Sequence, residues 1–359
     1  MAAGGAPWLC AVALSAMPLL LACNSQDAAL PTLGIDLKAT SVSGLSAGAY
    51  MAGQFQVAHS RMVVGAGIIA GGPYGCAESA YADAMPGPGA AFMNLSKAMN
   101  GCMLDAMQSW GVPDPVRLAE RARTLAQKDR IDAIEGLAQD RVYLFSGTND
   151  RTVLPSIVQA AAELYAQLGI NPANIKLVAD LPAGHAFLTR GNGIPCGRTG
   201  DPYITNCNYD QAGEVLQQIY GPLRPKVSPP TGEFIVFDQR EFTRDLPSHG
   251  LGRSGVAYVP PGCRLTLGCR VHVVFHACNQ HLERIGDVFV KEAGFPGWAD
   301  ANRLVLLYPQ VTTTTVNPQA CWDWWGYTGR DYLTRNGPQI EAVRRMLDRL
   351  AGHSTVSRS

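Results

Sequence analysis

Ser46, Asp150 and His185 are the side chains in this 359-residue sequence whose types and settings could do chemistry together. A serine hydroxyl is a weak nucleophile until an imidazole takes its proton, and the imidazole needs a carboxylate to fix its tautomer. Ser46 lies in Gly44-Leu45-Ser46-Ala47-Gly48, which fits G-x-S-x-G, the pattern of a sharp strand-to-helix turn. The two glycines have a physical job there, because a Cβ on either side of so tight a turn would strike the neighbouring strand and helix. Ser46 is then expected to stand exposed at a helix N-terminus. The Ala47 N–H would be offered to a developing oxyanion at the positive end of the helix dipole. Such a pattern also arises by chance as a plain structural turn, so a base, an acid and a second oxyanion donor must come from elsewhere.

Hydrophobic patterning supplies the elements that would hold them. Ser41-Val42-Ser43-Gly44-Leu45 reads as the strand before the turn, and residues 49–60 as the helix after it. Continuous apolar runs at 63–70, 141–146 and 175–178 suit strands buried on both faces, as in a parallel sheet, with a helix at 154–168. Residues 77–138 read as helices and loops that could form an insertion over the site. Asp150 sits in the loop after the 141–146 strand, and His185 in Gly184-His185-Ala186-Phe187 after the 175–178 strand. Ligand sites in open α/β sheets gather beyond the carboxyl ends of the strands. Alone, such an aspartate usually bonds nearby backbone N–H groups, and a lone histidine is a surface or packed residue. The order serine, aspartate, histidine, each after a strand, matches the α/β-hydrolases.

Composition limits the alternatives. With 47% hydrophobic residues the chain can build a sizeable core. The 29 Lys and Arg balance the 29 Asp and Glu and are scattered, which argues against nucleic acid as a partner. Residues 1–23 read as a secretory signal; Leu-x-Ala-Cys at its end resembles a lipoprotein cleavage site, making Cys23 a lipidation candidate and membrane attachment possible. One departure is that no Lys or Arg precedes Lys38. Residues 24–37 read as a linker, and 38–359 as one catalytic domain with an internal connector at 224–232. Beyond Cys10 and Cys23, Cys76, Cys102, Cys196, Cys207, Cys263, Cys269, Cys278 and Cys321 are disulfide candidates for an exported chain. They permit on the order of a hundred connectivities, of which sequential pairing is the simplest. No C-x-x-C or H-E-x-x-H motif suggests a metal, and no cofactor is expected.

The second half shows strands at 234–237, 255–259, 271–275 and 303–310 and a helix at 338–350. In the usual hydrolase order, strands of this kind come before the nucleophile. Feeding the last helix into the Ser46 strand restores that order, so a circular permutation within one domain is expected, with a mostly parallel central sheet flanked by helices.

Gly44-Leu45-Ser46-Ala47-Gly48-Ala49-Tyr50-Met51-Ala52, Gly147-Thr148-Asn149-Asp150, Gly184-His185-Ala186-Phe187, His276-Ala277-Cys278-Asn279-Gln280 and Cys321-Trp322-Asp323-Trp324-Trp325 span nearly all of the mature chain. Together they resemble the secreted poly(3-hydroxybutyrate) depolymerases of the circularly permuted, single-domain type. The resemblance implies a secreted or cell-surface serine esterase, monomeric, acting on solid or oligomeric polyester, with Ser46, Asp150 and His185 as the triad. It also implies the Cys278 N–H as second oxyanion donor beside Ala47. Ala277 stands where the family often has glycine, which could narrow that loop's conformations. Trp324, Trp325 and Tyr327 are expected near the substrate, although so dense an aromatic cluster is also what a core looks like. A Cys278–Cys321 disulfide would brace the loop. A secreted feruloyl or acetyl esterase, or a non-catalytic surface-binding lipoprotein, would share these features.

Overall fold

The computed structural model describes residues 28–80 and 90–353. The expected signal segment and Cys23 lie outside the described residues. In chain order the elements are β1 (Thr40–Leu45), α1 (Ala47–Ala58), β2 (Val63–Ile69), α2 (Cys76–Ala80), α3 (Ala90–Cys102), α4 (Pro115–Gln127), β3 (Arg141–Phe145), α5 (Pro155–Gln167) and β4 (Ile175–Val178). Short strands β5 (Phe187–Thr189), β6 (Ile194–Pro195) and β7 (Ile204–Asn206) and helix α6 (Gln211–Tyr220) follow. The remainder comprises β8 (Glu233–Asp238), β9 (Ser254–Val259), α7 (Pro261–Leu265), β10 (Arg270–Phe275), α8 (Leu282–Ile285), α9 (Val288–Glu292), α10 (Phe295–Asn302), β11 (Leu304–Tyr308) and α11 (Pro338–Ala351).

Eight strands form one sheet in the order β4-β3-β2-β1-β10-β11-β9-β8. All neighbours run parallel except where β9 pairs with β11 and β8. Read from β8 onward and continued through β1, chain order and spatial order agree apart from one exchange, β10 with β11. That is the permuted α/β-hydrolase arrangement. The join is visible, since the Leu33 N–H donates to the Leu350 carbonyl at the end of α11 (2.8 Å).

Residues 28–37 therefore differ from the expected linker. Leu30 and Ile35 are buried, Ala28 bridges to Phe237 on β8, and the Asp36 N–H donates to Cys269. The segment packs because its leucines and isoleucine have apolar surface to cover at the seam.

Helices cover both faces of the sheet. Val42, Val273, Val305, α1, α5 and α11 share one core; Leu45, Val274, Leu306, α6 and α10 share the other. Because β1 is central it is buried along its whole length, so its polar residues need partners inside the protein. Thr40 Oγ1 donates to Leu37 O, and the hydroxyls of Ser41 and Ser43 hold the two ring nitrogens of His272 on β10 at 2.6 and 2.8 Å. Burial pushes the His272 pKa down to about 3, so this clasp between β1 and β10 stays neutral.

Candidate active site

The three site loops leave the same edge of the sheet, because β1, β3 and β4 run parallel. Ser46 has φ 58° and ψ −120°, the strained conformation of a sharp elbow, and its side chain makes no capping bond to α1. The glycines are explained by contact. A Cβ at Gly44 would lie 2.3 Å from the Gly48 backbone, and one at Gly48 would lie 2.3 Å from the Phe275 carbonyl oxygen. Contrary to the exposed serine expected, Ser46 is 7% exposed and lies at the wall of a pocket.

Asp150 Oδ1 accepts from the N–H groups of Thr152 (2.8 Å) and Val153 (3.0 Å), the local turn role expected of such an aspartate. Its Oδ2 is 2.8 Å from His185 Nδ1, with both side chains almost fully buried. A carboxylate can only accept here, so Nδ1 carries the hydrogen of this bond, and in the neutral ring Nε2 is the nitrogen left with a lone pair. The histidine loop is held from behind: the Thr199 hydroxyl accepts from the His185 N–H, and the Gly184 N–H donates to Cys196. A Cβ at Gly184 would meet the Arg198 carbonyl at 2.5 Å.

On the other side of Ser46, the loop after β10 brings Cys278 to the same pocket as Ala47. Neither the Ala47 nor the Cys278 N–H has a backbone acceptor among the described residues. Ala277 has an ordinary negative φ; the left-handed residue is Asn279 at φ 59°, so the expected constraint at Ala277 does not arise. His276, which the sequence did not single out as a site residue, controls this loop. Its Nε2 accepts from the Val311 N–H (3.1 Å), so Nδ1 donates to the Ala277 carbonyl (2.7 Å). That carbonyl belongs to the peptide unit whose N–H is that of Cys278, so the histidine fixes the direction of that donor. Burial lowers the His276 pKa to about 3 and keeps the ring in one neutral form.

The pocket holds about 250 Å³ and is mostly apolar, with Leu95, Met99 and Met103 from the α3 region facing Trp324 and Trp325. The 77–138 stretch thus does contribute a wall over the serine. Trp322 is core. Trp324 stacks on Tyr50 (5.2 Å, 24°), and Trp325 meets Trp324 edge-on at 5.5 Å. Tyr327 does not line the pocket. Its ring backs Trp325 at 4.7 Å, and its hydroxyl is held by Cys321 O, Asn317 and Gln339. In this structure Tyr327 buttresses Trp325, and its hydroxyl finds its partners on the protein side.

Four disulfides join Cys76–Cys102, Cys196–Cys207, Cys263–Cys269 and Cys278–Cys321. The last ties the loop bearing the Cys278 N–H to the tryptophan segment. Among the described residues no cluster of His, Cys, Asp or Glu could hold a metal ion, and no helix is long and apolar enough to cross a membrane.

No protein-family model matches the chain. A poly(3-hydroxybutyrate) depolymerase from Delftia acidovorans is 38% identical over 327 residues, 90% of this chain and 61% of that one. A polyhydroxybutyrate depolymerase from Talaromyces funiculosus is 33% identical over 334 residues, covering 88% of this chain and 90% of its own length. The chain belongs to the poly(3-hydroxybutyrate) depolymerase family. It spans about three fifths of the Delftia relative. Among solved structures, the PHB depolymerase from Penicillium funiculosum matches 91% of this chain and 100% of its own, with a TM-score of 0.78 and 32% identity. A serine-to-alanine variant of a PHB depolymerase complexed with an R3HB trimer matches to the same extent.

Proposed function

We propose that the chain hydrolyses poly(3-hydroxybutyrate), or related short-chain polyhydroxyalkanoates, through an acyl-enzyme on Ser46. The observation that carries this reading is the buried Asp150–His185 pair, on the same sheet edge as an elbow serine that opens onto an apolar pocket. Ser46 Oγ attacks the ester carbonyl carbon while His185 Nε2 takes its proton. The oxyanion faces the Ala47 and Cys278 N–H groups. As the tetrahedral intermediate collapses, the alcohol end of the chain leaves with the proton from His185. Water then attacks the acyl-enzyme with His185 again as base, releasing the acid and restoring Ser46. Each oxyanion donor is worth ~10²–10³ in turnover.

The apolar pocket suits a polyester with methyl-bearing repeat units, and the relatives' names give the same substrate class. Four disulfides fit an oxidising, extracytoplasmic setting. On this reading residues 1–23 direct export, Cys23 could tether the enzyme to a membrane, and the triad comes from one chain acting as a monomer.

The test is clearing of a poly(3-hydroxybutyrate) granule suspension with hydroxybutyrate oligomers as products. Ser46→Ala should abolish clearing and labelling by a fluorophosphonate probe. Hydrolysis of short soluble esters without clearing would move the assignment to a feruloyl or acetyl esterase. A folded wild-type protein that takes no label would overturn the hydrolase reading.

A further inference from the structure

Beside the pocket lies a buried carboxylate that the proposed reaction does not use. Asp323 is 1% exposed, and its partners are backbone and hydroxyl groups. Oδ1 accepts from the N–H groups of Trp325 (3.2 Å), Gly326 (2.6 Å) and Tyr327 (3.0 Å). Oδ2 accepts from the N–H of Thr328 (2.8 Å) and from its hydroxyl (2.6 Å). The residue's own backbone is equally committed, its N–H to Gln339 Oε1 and its carbonyl to Gln54 Nε2, each at 2.8 Å. Gln54 lies on α1 behind the nucleophile and Gln339 on α11, so Asp323 is pinned to both helices.

One carboxylate that gathers four successive N–H groups forces residues 323–328 into a single compact turn, eased by Gly326 at φ 88°. That turn carries Trp324 and Trp325, which form the aromatic wall of the pocket against Tyr50. The wall has no regular secondary structure to hold it. The carboxylate and the Cys278–Cys321 disulfide do that work.

We propose that Asp323 is a positioning residue for the substrate wall: by collecting the 325–328 N–H groups it fixes Trp324 and Trp325, and so sets affinity for the ester chain without touching the reacting carbonyl. The inference rests on the reading of Ser46 and its pocket given above. In Asp323→Asn one oxygen becomes an NH₂ that faces donors, leaving a buried donor unmatched.

With a soluble 3-hydroxybutyrate trimer, Asp323→Asn should raise KM about tenfold while kcat stays within about twofold, the signature of lost uniform binding. Trp324→Leu should raise KM similarly, and the double variant should be little worse than Trp324→Leu alone, because both changes remove one wall. If Asp323→Asn does not fold, Thr328→Val, which removes only the hydroxyl donor, should show the same split at about threefold. Equal loss of kcat in the folded variants, additive losses in the double variant, or an unchanged KM would overturn the proposal. Fluorophosphonate labelling of Ser46 keeps the two readings apart. A wild type that does not label fails at the nucleophile, whereas variants that label normally with an unchanged KM fail at Asp323.

Discussion

At the level of single residues, the contact geometry separates glycines that the fold requires from glycines it merely contains. A methyl group at Gly48 would sit 2.3 Å from the Phe275 carbonyl and 2.5 Å from that of His276, both backbone atoms of the neighbouring strand end. Neither can swing aside, so Gly48→Ala should cost more than about 3 kcal/mol in denaturant unfolding and abolish esterase activity. Gly262→Ala, where a Cβ meets nothing within 4 Å and φ is not positive, should change stability by less than about 0.5 kcal/mol. The need for these glycines could be argued from the sequence, as could Ser46, Asp150 and His185, because each follows an apolar run. His276 and Asp323 could not be read the same way. Their importance lies in hydrogen bonds to Val311, Ala277 and the 325–328 backbone, and no local pattern marks such partners. Tyr327 shows another limit: aromatic residues crowded in a loop have no period from which to tell the ring that lines a pocket from the one that backs it.

Among the elements, the loop after β10 has one covalent support. Cys278 and Cys321 are 43 residues apart, and opening that closed loop in the unfolded chain costs about 4 kcal/mol of stability. Replacing both by serine should lower the unfolding free energy by roughly that amount. It should also reduce turnover of soluble esters by about tenfold or more, because the Cys278 N–H loses its fixed direction. Stability and kcat measured on the same preparation check this; full activity would show that the His276 hydrogen bonds hold the loop unaided. The main strands were legible because burial on both faces writes continuous apolar runs, and their observed ends lie close to the expected ones. Strands β5, β6 and β7 were not legible, since two or three residues carry no periodicity. The reversed direction of β9 leaves no trace in its composition either, because a strand buried by its neighbours reads alike in both directions.

For the molecule as a whole, buried titratable groups set a pH window. Burial holds His59, His272 and His276 near pKa 3, against ~6.5 in an unfolded chain. Their contribution is present above pH ~6.5 and is lost as pH falls towards 3, because the unfolded chain binds up to three protons that the native fold refuses. Asp140, pushed up to about 7, and Asp323, raised by burial, act in the other direction: their contribution is present below pH ~4 and is lost as pH rises through their native values. His59, His272 and His276 outweigh Asp140 between pH 6.5 and 4, so stability should fall as pH drops across that range. Denaturant midpoints across that range test this, and His59→Gln should flatten the slope. The permuted order, inferred from where the nucleophile falls among the strands, has a further consequence in the seating of β1 against β10, Thr40 beside Val271. Synthesis delivers the nucleophile strand early and its neighbour late. Until β10 emerges, Gly48 has no Phe275 carbonyl to lie on and Ser46 has no Cys278 N–H beside it. On the proposed reading of Ser46 and Cys278, the site of a nascent chain therefore stays incomplete until its late strands have been made.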